Sequence, residues 1–179
     1  MKKENLLHIL ARCRSSNIIM NHIFETLLPV QTAMLAFSRN VSNNSPFMIF
    51  LSKNNEDCLL IWNKVKTWME NGSVDPSSLD FYSPNKDGET ILHLCGKAGF
   101  GELFQEICYN KSLDLARIKE ILTSERTPLV TIHNEDLMRS IIMEISPMWQ
   151  TMTEHAQKVI LSKAMSIRLR HWSKVTNYH

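Results

Sequence analysis

Three observations predict an all-α fold. Glycine is scarce, with 5 in 179 residues, while Leu, Ile, Met, Lys and Glu are plentiful, so helices form more readily than the many turns of a β sandwich. Apolar residues recur at helical rather than alternating spacing over several stretches. A short pattern, a small or polar residue followed by an apolar helix start, comes four times, as expected of consecutive helix-turn-helix units.

The first start is Asn5-Leu6-Leu7-His8-Ile9-Leu10-Ala11, and Asn17 to Leu28 then places Ile18, Ile19, His22, Ile23 and Leu27 for a second helix. Arg39 to Ser45, rich in Asn and Ser, reads as a loop. Ser45-Pro46-Phe47-Met48-Ile49-Phe50 is the second start: Ser caps, and Pro at the first helical position gives up an amide that has no intrahelical partner anyway. Asp57 to Met69 carries Leu60, Ile61, Val65 and Trp68 at helical spacing, and Asn71 to Lys86 reads as a long loop in which Gly72, Pro76, Ser77, Ser78, Pro84 and Asn85 cluster.

Asp87-Gly88 signals a turn, Thr90 can cap the third start, Gly99 can end that helix, and Glu102 to Cys108 supplies an antiparallel partner. Leu113 to Leu122 adds another helix, with Leu115, Ile118, Ile121 and Leu122 on one side. The fourth start is Thr127-Pro128-Leu129-Val130-Thr131-Ile132, followed by Glu135 to Ile145. Ser146-Pro147 stops that helix and opens the last one. The division is therefore a repeat region over 1–146 and a C-terminal capping helix with a basic face over 147–179. Leu7, Leu92 and Leu129 share one slot of the pattern, so each is expected to be buried in a first helix.

The run from Asp87 to Phe104 resembles the ankyrin repeat. Gly88, Thr90, Leu92, His93 and Gly99 match its pattern, while Ile91 stands where Pro is usual and Phe100 where His is usual. Thr127-Pro128 repeats part of the motif. The starts lie 40, 45 and 37 residues apart, longer than the family's period of about 33, so the repeats are degenerate or interrupted. The resemblance implies an ankyrin-like stack of helix pairs with irregular long loops. Gly88, Thr90, Leu92, His93, Gly99, Thr127 and Pro128 would be its framework, with Thr90 and His93 in a hydrogen-bond network between units. It also implies a binding face lined by the inter-repeat loops and another protein as partner. Asp80, Phe81 and Tyr82, in the long loop, are the leading contact candidates. In the competing reading Phe81 and Tyr82 fold back and pin the loop. Degenerate repeats in a chain rich in Asn, Lys, Ile and Ser also resemble effectors of intracellular bacteria or viruses, which would put the workplace in a host cytosol.

The net charge of +2 hides a segregation: from His155 onward there are five basic residues, Lys158, Lys163, Arg168, Arg170 and Lys174, and no acid, so the rest is net negative. A solvated terminal helix accounts for this. The alternative is a tail in which Lys163, Arg168, Arg170 and Lys174 meet nucleic acid or an anionic membrane.

Catalytic and metal-site patterns are not found. None of the seven histidines has HExxH spacing, and no GxGxxG, GxxxxGK[ST] or GxSxG occurs, so neither a metal nor a phosphate-bearing cofactor is expected. His93 and Cys95 lie two apart on a helix and point to different faces, which argues against an activated thiol. The chain reads as a binding protein and not an enzyme. Its four cysteines form no CxxC pair, the N-terminal apolar run is broken by His8, Arg12 and Arg14, and no apolar stretch approaches the roughly 20 residues of a membrane span. A cytoplasmic location is the expectation.

Overall fold

Each unit opens on a capping side chain. Asn5, Ser45 and Thr127 accept hydrogen bonds from the backbone N–H of His8 (3.1 Å), Met48 (3.2 Å) and Leu129 (3.2 Å), while the N–H of Thr90 donates to Nδ1 of His93 (3.2 Å). The structure is a computed structural model that describes residues 4–13, 17–124, 126–132, 135–136, 138–139, 141, 154, 157–162 and 165. Its helices are α1 Leu6–Leu10, α2 Asn17–Thr26, α3 Pro29–Phe37, α4 Pro46–Ser52, α5 Asp57–Glu70, α6 Ile91–Ala98, α7 Gly101–Tyr109 and α8 Leu115–Thr123, with short 3₁₀ turns at Pro76–Ser78 and Pro128–Thr131. There is no strand among the described residues, and the chain is all-α.

The four starts stack in chain order: α1 on α4, α4 on α6, α6 on the turn Pro128–Thr131. The residue two places after each cap, Leu7, Phe47, Leu92 or Leu129, is buried in all four. The second helices α2, α5 and α7 each turn a buried pair inward: Met20 with Ile23, Trp62 with Val65, Phe104 with Ile107. A period of 3.6 residues puts such i, i+3 pairs on one stripe.

Two expectations about elements need correction. The fourth start is a 3₁₀ turn rather than a helix, because Thr131 Oγ1 takes the Pro128 carbonyl (2.7 Å), the acceptor an α-helical Ile132 N–H would need. Ile132 N–H bonds Leu129 O instead, and the run Val130-Thr131-Ile132 is β-branched, which adds to the bias against an α-helix. The first unit also holds a third helix, α3, where no element was expected. Pro29 at its first position and the buried Ala33, Ala36 and Phe37 were the available signal. α3, the 71–86 loop and α8 are the extra lengths that stretch the spacing.

Two turns repeat almost atom for atom. Asn40 and Asn85, each five residues before a cap, accept at Oδ1 from Ser42 and Asn44 N–H (2.9 and 3.1 Å) and from Asp87 and Glu89 N–H (3.0 and 2.9 Å). Asn43 (φ 59°) and Gly88 (φ 79°) take the left-handed position two before the cap. At Gly88 a Cβ would also strike the Arg126 guanidinium. The turns lie edge to edge, joined by Lys86 N–H to Ser42 O (3.2 Å) and Asn85 Nδ2 to Asn44 Oδ1 (3.1 Å).

Of the 147–179 segment, the described residues 154, 157–162 and 165 are helical, with Ile160 buried and Leu161 and Met165 exposed. Among the described residues no helix is long and apolar enough to cross a membrane.

Candidate interaction site

The long loop is pinned, not free. Phe81 is 3% exposed, with its ring stacked on Phe37 (centroids 5.0 Å apart) and close to Trp62 (5.8 Å) and Phe47 (6.5 Å). Val74 and Leu79 of the same loop are buried beside it in the core. Tyr82 accepts a hydrogen bond at its hydroxyl from the N–H of Asp114 (2.7 Å), the cap of α8. Asp80 accepts from Arg39. Phe81 therefore cannot serve as a surface contact, and Asp80 and Tyr82 are engaged within the chain: apolar burial of the ring outweighs its exposure in a loop.

Arg39, which sequence reasoning took only as the edge of a loop, is the hub of this arrangement. Its side chain is 2% exposed and donates to Asp80 Oδ2 (3.0 Å), Asp80 O (2.7 Å), Ser83 O (2.9 Å) and Asn43 O (3.0 Å). Burial pushes the Asp80 carboxyl up, but Ser83 and Arg39 together pull it below its ordinary value. No local pattern marks Arg39, since its partners lie some forty residues away.

His8 and His93 occupy the third helical position of α1 and α6 and make the same two bonds. Nδ1 accepts from the N–H of the unit's own cap, Asn5 or Thr90 (3.2 Å each). Nε2–H then donates to the carbonyl just before the next cap, Asn44 (3.1 Å) or Arg126 (2.7 Å). One imidazole thus closes its own helix and ties it to the following unit. At His93, where the Thr90 hydroxyl also meets Nδ1 (2.9 Å), the bonding suits the neutral ring with its proton on Nε2, whereas Nδ1 of His8 also lies 2.9 Å from the acceptor Oδ1 of Asn5. Burial, the larger influence, lowers both pKa values from the usual histidine range. The folded state then binds fewer protons than the unfolded one. The stability contributed by the two rings is fully present above about pH 6.5 and is lost as pH falls from there toward the lowered folded values. The thermal midpoint is expected to drop between pH 7 and pH 5, and to drop less in a His8→Gln, His93→Gln variant. Equal slopes in the two proteins would refute this account.

Cys58 and Cys95 are buried in the core and Cys108 is half-buried against it. Burial pushes Cys58 and Cys108 up to about 12 and Cys95 well above its usual value, so none is a thiolate near neutrality. The framework residues reach further than expected at one point. Gly96 leaves room for Thr131, whose hydroxyl donates to His93 O (3.2 Å), and a Cβ there would collide with it. Among the described residues no three His, Cys, Asp or Glu side chains meet as a metal site.

Two of the open surfaces among the described residues bear on binding. The first comprises the two turns together with the space between α4 and α6. Val41, Lys86 and Asp87 are exposed at the tips, and a groove of about 350 Å³ lies between α4 and α6, lined by Ser52, Asn54, Leu94 and the Lys97–Glu89 ion pair. The second is a cleft of about 710 Å³ between α5 and α7, where Trp62 Nε1–H (2.7 Å) and Lys66 (3.1 Å) both donate to Glu106. Lys163, Arg168, Arg170 and Lys174 lie outside the described residues. No family model, no curated protein and no solved structure matches the chain.

Proposed function

We propose that the chain is an ankyrin-like scaffold that binds another protein through its turn tips and the α4–α6 groove. The observation that carries this reading is the equivalence of His8 and His93, each tying a first helix to the turn of the next unit, in a stack whose starts follow chain order. The stacking uses caps, backbone carbonyls and buried apolar residues, which leaves the tips free to vary without cost to the framework. Val41, Lys86 and Asp87 place one apolar and two oppositely charged side chains on the outer edge of two fingers that are fixed to each other. Rigid, adjacent fingers lose little entropy on binding.

The test is quantitative capture from a cytosolic extract, followed by titration of the purified partner against the chain. Val41→Glu, Lys86→Glu and Asp87→Lys together should weaken that binding at least 10-fold with an unchanged thermal midpoint. Full affinity in the triple variant would reject this face. A second reading rests on the charge segregation, with five bases and no acid from His155 onward, and places binding in the tail. Replacing Lys163, Arg168, Arg170 and Lys174 with Gln separates the two, because a tail site alone would show salt-sensitive binding to RNA, DNA or anionic vesicles.

A further inference from the structure

The C-terminal end of α5 carries a peptide bond that water can rewrite. Asn71-Gly72, where Asn71 is the cap, is the single Asn-Gly pair of the sequence, and Asn71, Gly72 and Ser73 are all exposed. Among the described residues nothing lies within 4 Å of the place a Cβ would take on Gly72, so solvent reaches this peptide. The Asn71 side chain is already turned toward it. Its Oδ1 accepts from the N–H of Ser73 (3.0 Å), which closes a ring containing both Cγ and the Gly72 nitrogen. The same donor faces the oxygen on which negative charge develops if that nitrogen adds to Cγ.

Asn40, Asn55, Asn85 and Asn110 make the equivalent bond to the N–H two residues on. None of them is exposed, and each is followed by a residue with a side chain, Val41, Glu56, Lys86 or Lys111. At Gly72 alone the backbone can close in with no Cβ in the way. Its N–H is held by Met69 O (3.2 Å), so the reaction draws on the moments when the last turn of α5 opens.

We propose that Asn71 is a site of spontaneous deamidation, and that the change loosens the entry to the 71–86 loop. The Gly72 nitrogen bonds to Cγ as the Cγ–Nδ2 bond breaks, and the Gly72 amide proton leaves with Nδ2 as ammonia. Water then opens the resulting five-membered imide. Cleavage at Cγ yields aspartate, and cleavage at the main-chain carbonyl yields isoaspartate, with the chain rerouted through Cβ and Cγ. Water is the only co-reactant, and nothing is oxidised or reduced. Isoaspartate adds a methylene to the main chain between two bonds that close the helix end, Asn71 N–H to Thr67 O (3.0 Å) and Val74 N–H to Trp68 O (3.0 Å). Val74, 2% exposed, is the first core anchor of the loop. Either product also sets a carboxylate beside Glu70 at the helix C-terminus, where the helix dipole disfavours it.

The test holds the full chain in warm, mildly alkaline buffer, with samples mapped by peptide mass spectrometry and isoaspartate resolved by chromatography. Conversion at Asn71 should exceed that at any other asparagine by about 10-fold, and should quicken with pH because the attacking nitrogen must lose its proton. Asn71→Gln, which would need a six-membered ring, should stay unmodified. The converted fraction, separated by ion exchange, should be cut within 71–86 several-fold faster than the original chain in limited proteolysis. Asn71→Asp supplies the charge on an unaltered main chain and should show the smaller increase. An Asn71 that stays intact when the guanidinium-unfolded chain has converted there overturns the proposal, as does conversion led by another asparagine, or a converted chain cut no faster than the original.

Discussion

Phe81→Ala is expected to lower the free energy of unfolding by about 3 to 5 kcal/mol, the range for truncating a buried phenylalanine. The ring lies where α3, α4 and α5 converge, against Phe37, Phe47 and Trp62. A cavity bounded by three helices and a loop can close only if all of them shift together, which places the loss toward the upper end. In a chain of this length that corresponds to a fall in thermal midpoint on the order of 10 °C. Urea denaturation of Phe81→Leu and Phe81→Ala should show a graded loss. A cost under about 1 kcal/mol for the alanine variant would remove Phe81 from the core.

Arg39→Met should cost about 3 kcal/mol, at the low end for breaking a buried ion pair. Methionine keeps most of the apolar stem and removes every donor. The carbonyls of Asn43, Asp80 and Ser83 are then left without the guanidinium they share, and a buried acceptor without a donor forfeits its desolvation cost. The Asp80 carboxylate is 40% exposed and can rehydrate, so Asp80→Asn should cost much less than the arginine variant. Arg39→Lys should not restore stability, because one ammonium cannot span donors fixed in a planar fork. Denaturation titrations give the energies, and limited proteolysis shows whether cleavage moves into 71–86. An arginine variant no less stable than Asp80→Asn would refute the hub.

What could be read directly was local. Thr90 with His93, and Asn5 with His8, carry their meaning within three residues, and Gly88 and Gly99 announce left-handed backbone two residues before a cap and one past a helix end. The common burial of Leu7, Leu92 and Leu129 follows from the same short-range order. What could not be read was set at a distance. Arg39 and Asp80 are 41 residues apart, and the aromatic cluster joins positions 37, 47, 62 and 81. No window on the chain distinguishes Phe81 exposed in a loop from Phe81 folded inward. The recurrence of Asn40 and Asn85 five residues before a cap was visible in principle. It escapes a search for helix starts because it belongs to the turn before them.

The histidine bridges are unevenly distributed. The slot that holds His8 and His93 holds Met48 in the second unit, so the junction between α4 and α6 has no imidazole. Asn43 with Pro84, Asn85 with Asn44, and Arg39 with Asp80 and Ser83 hold it instead. The α1–α4 junction and that of α6 with the turn Pro128–Thr131 therefore depend on a titratable imidazole, while the α4–α6 junction depends on amides and a guanidinium. The three junctions are thus expected to differ in acid sensitivity. On acidification, amide exchange in α1 and at the turn Pro128–Thr131 is expected to rise before that at the α4–α6 junction.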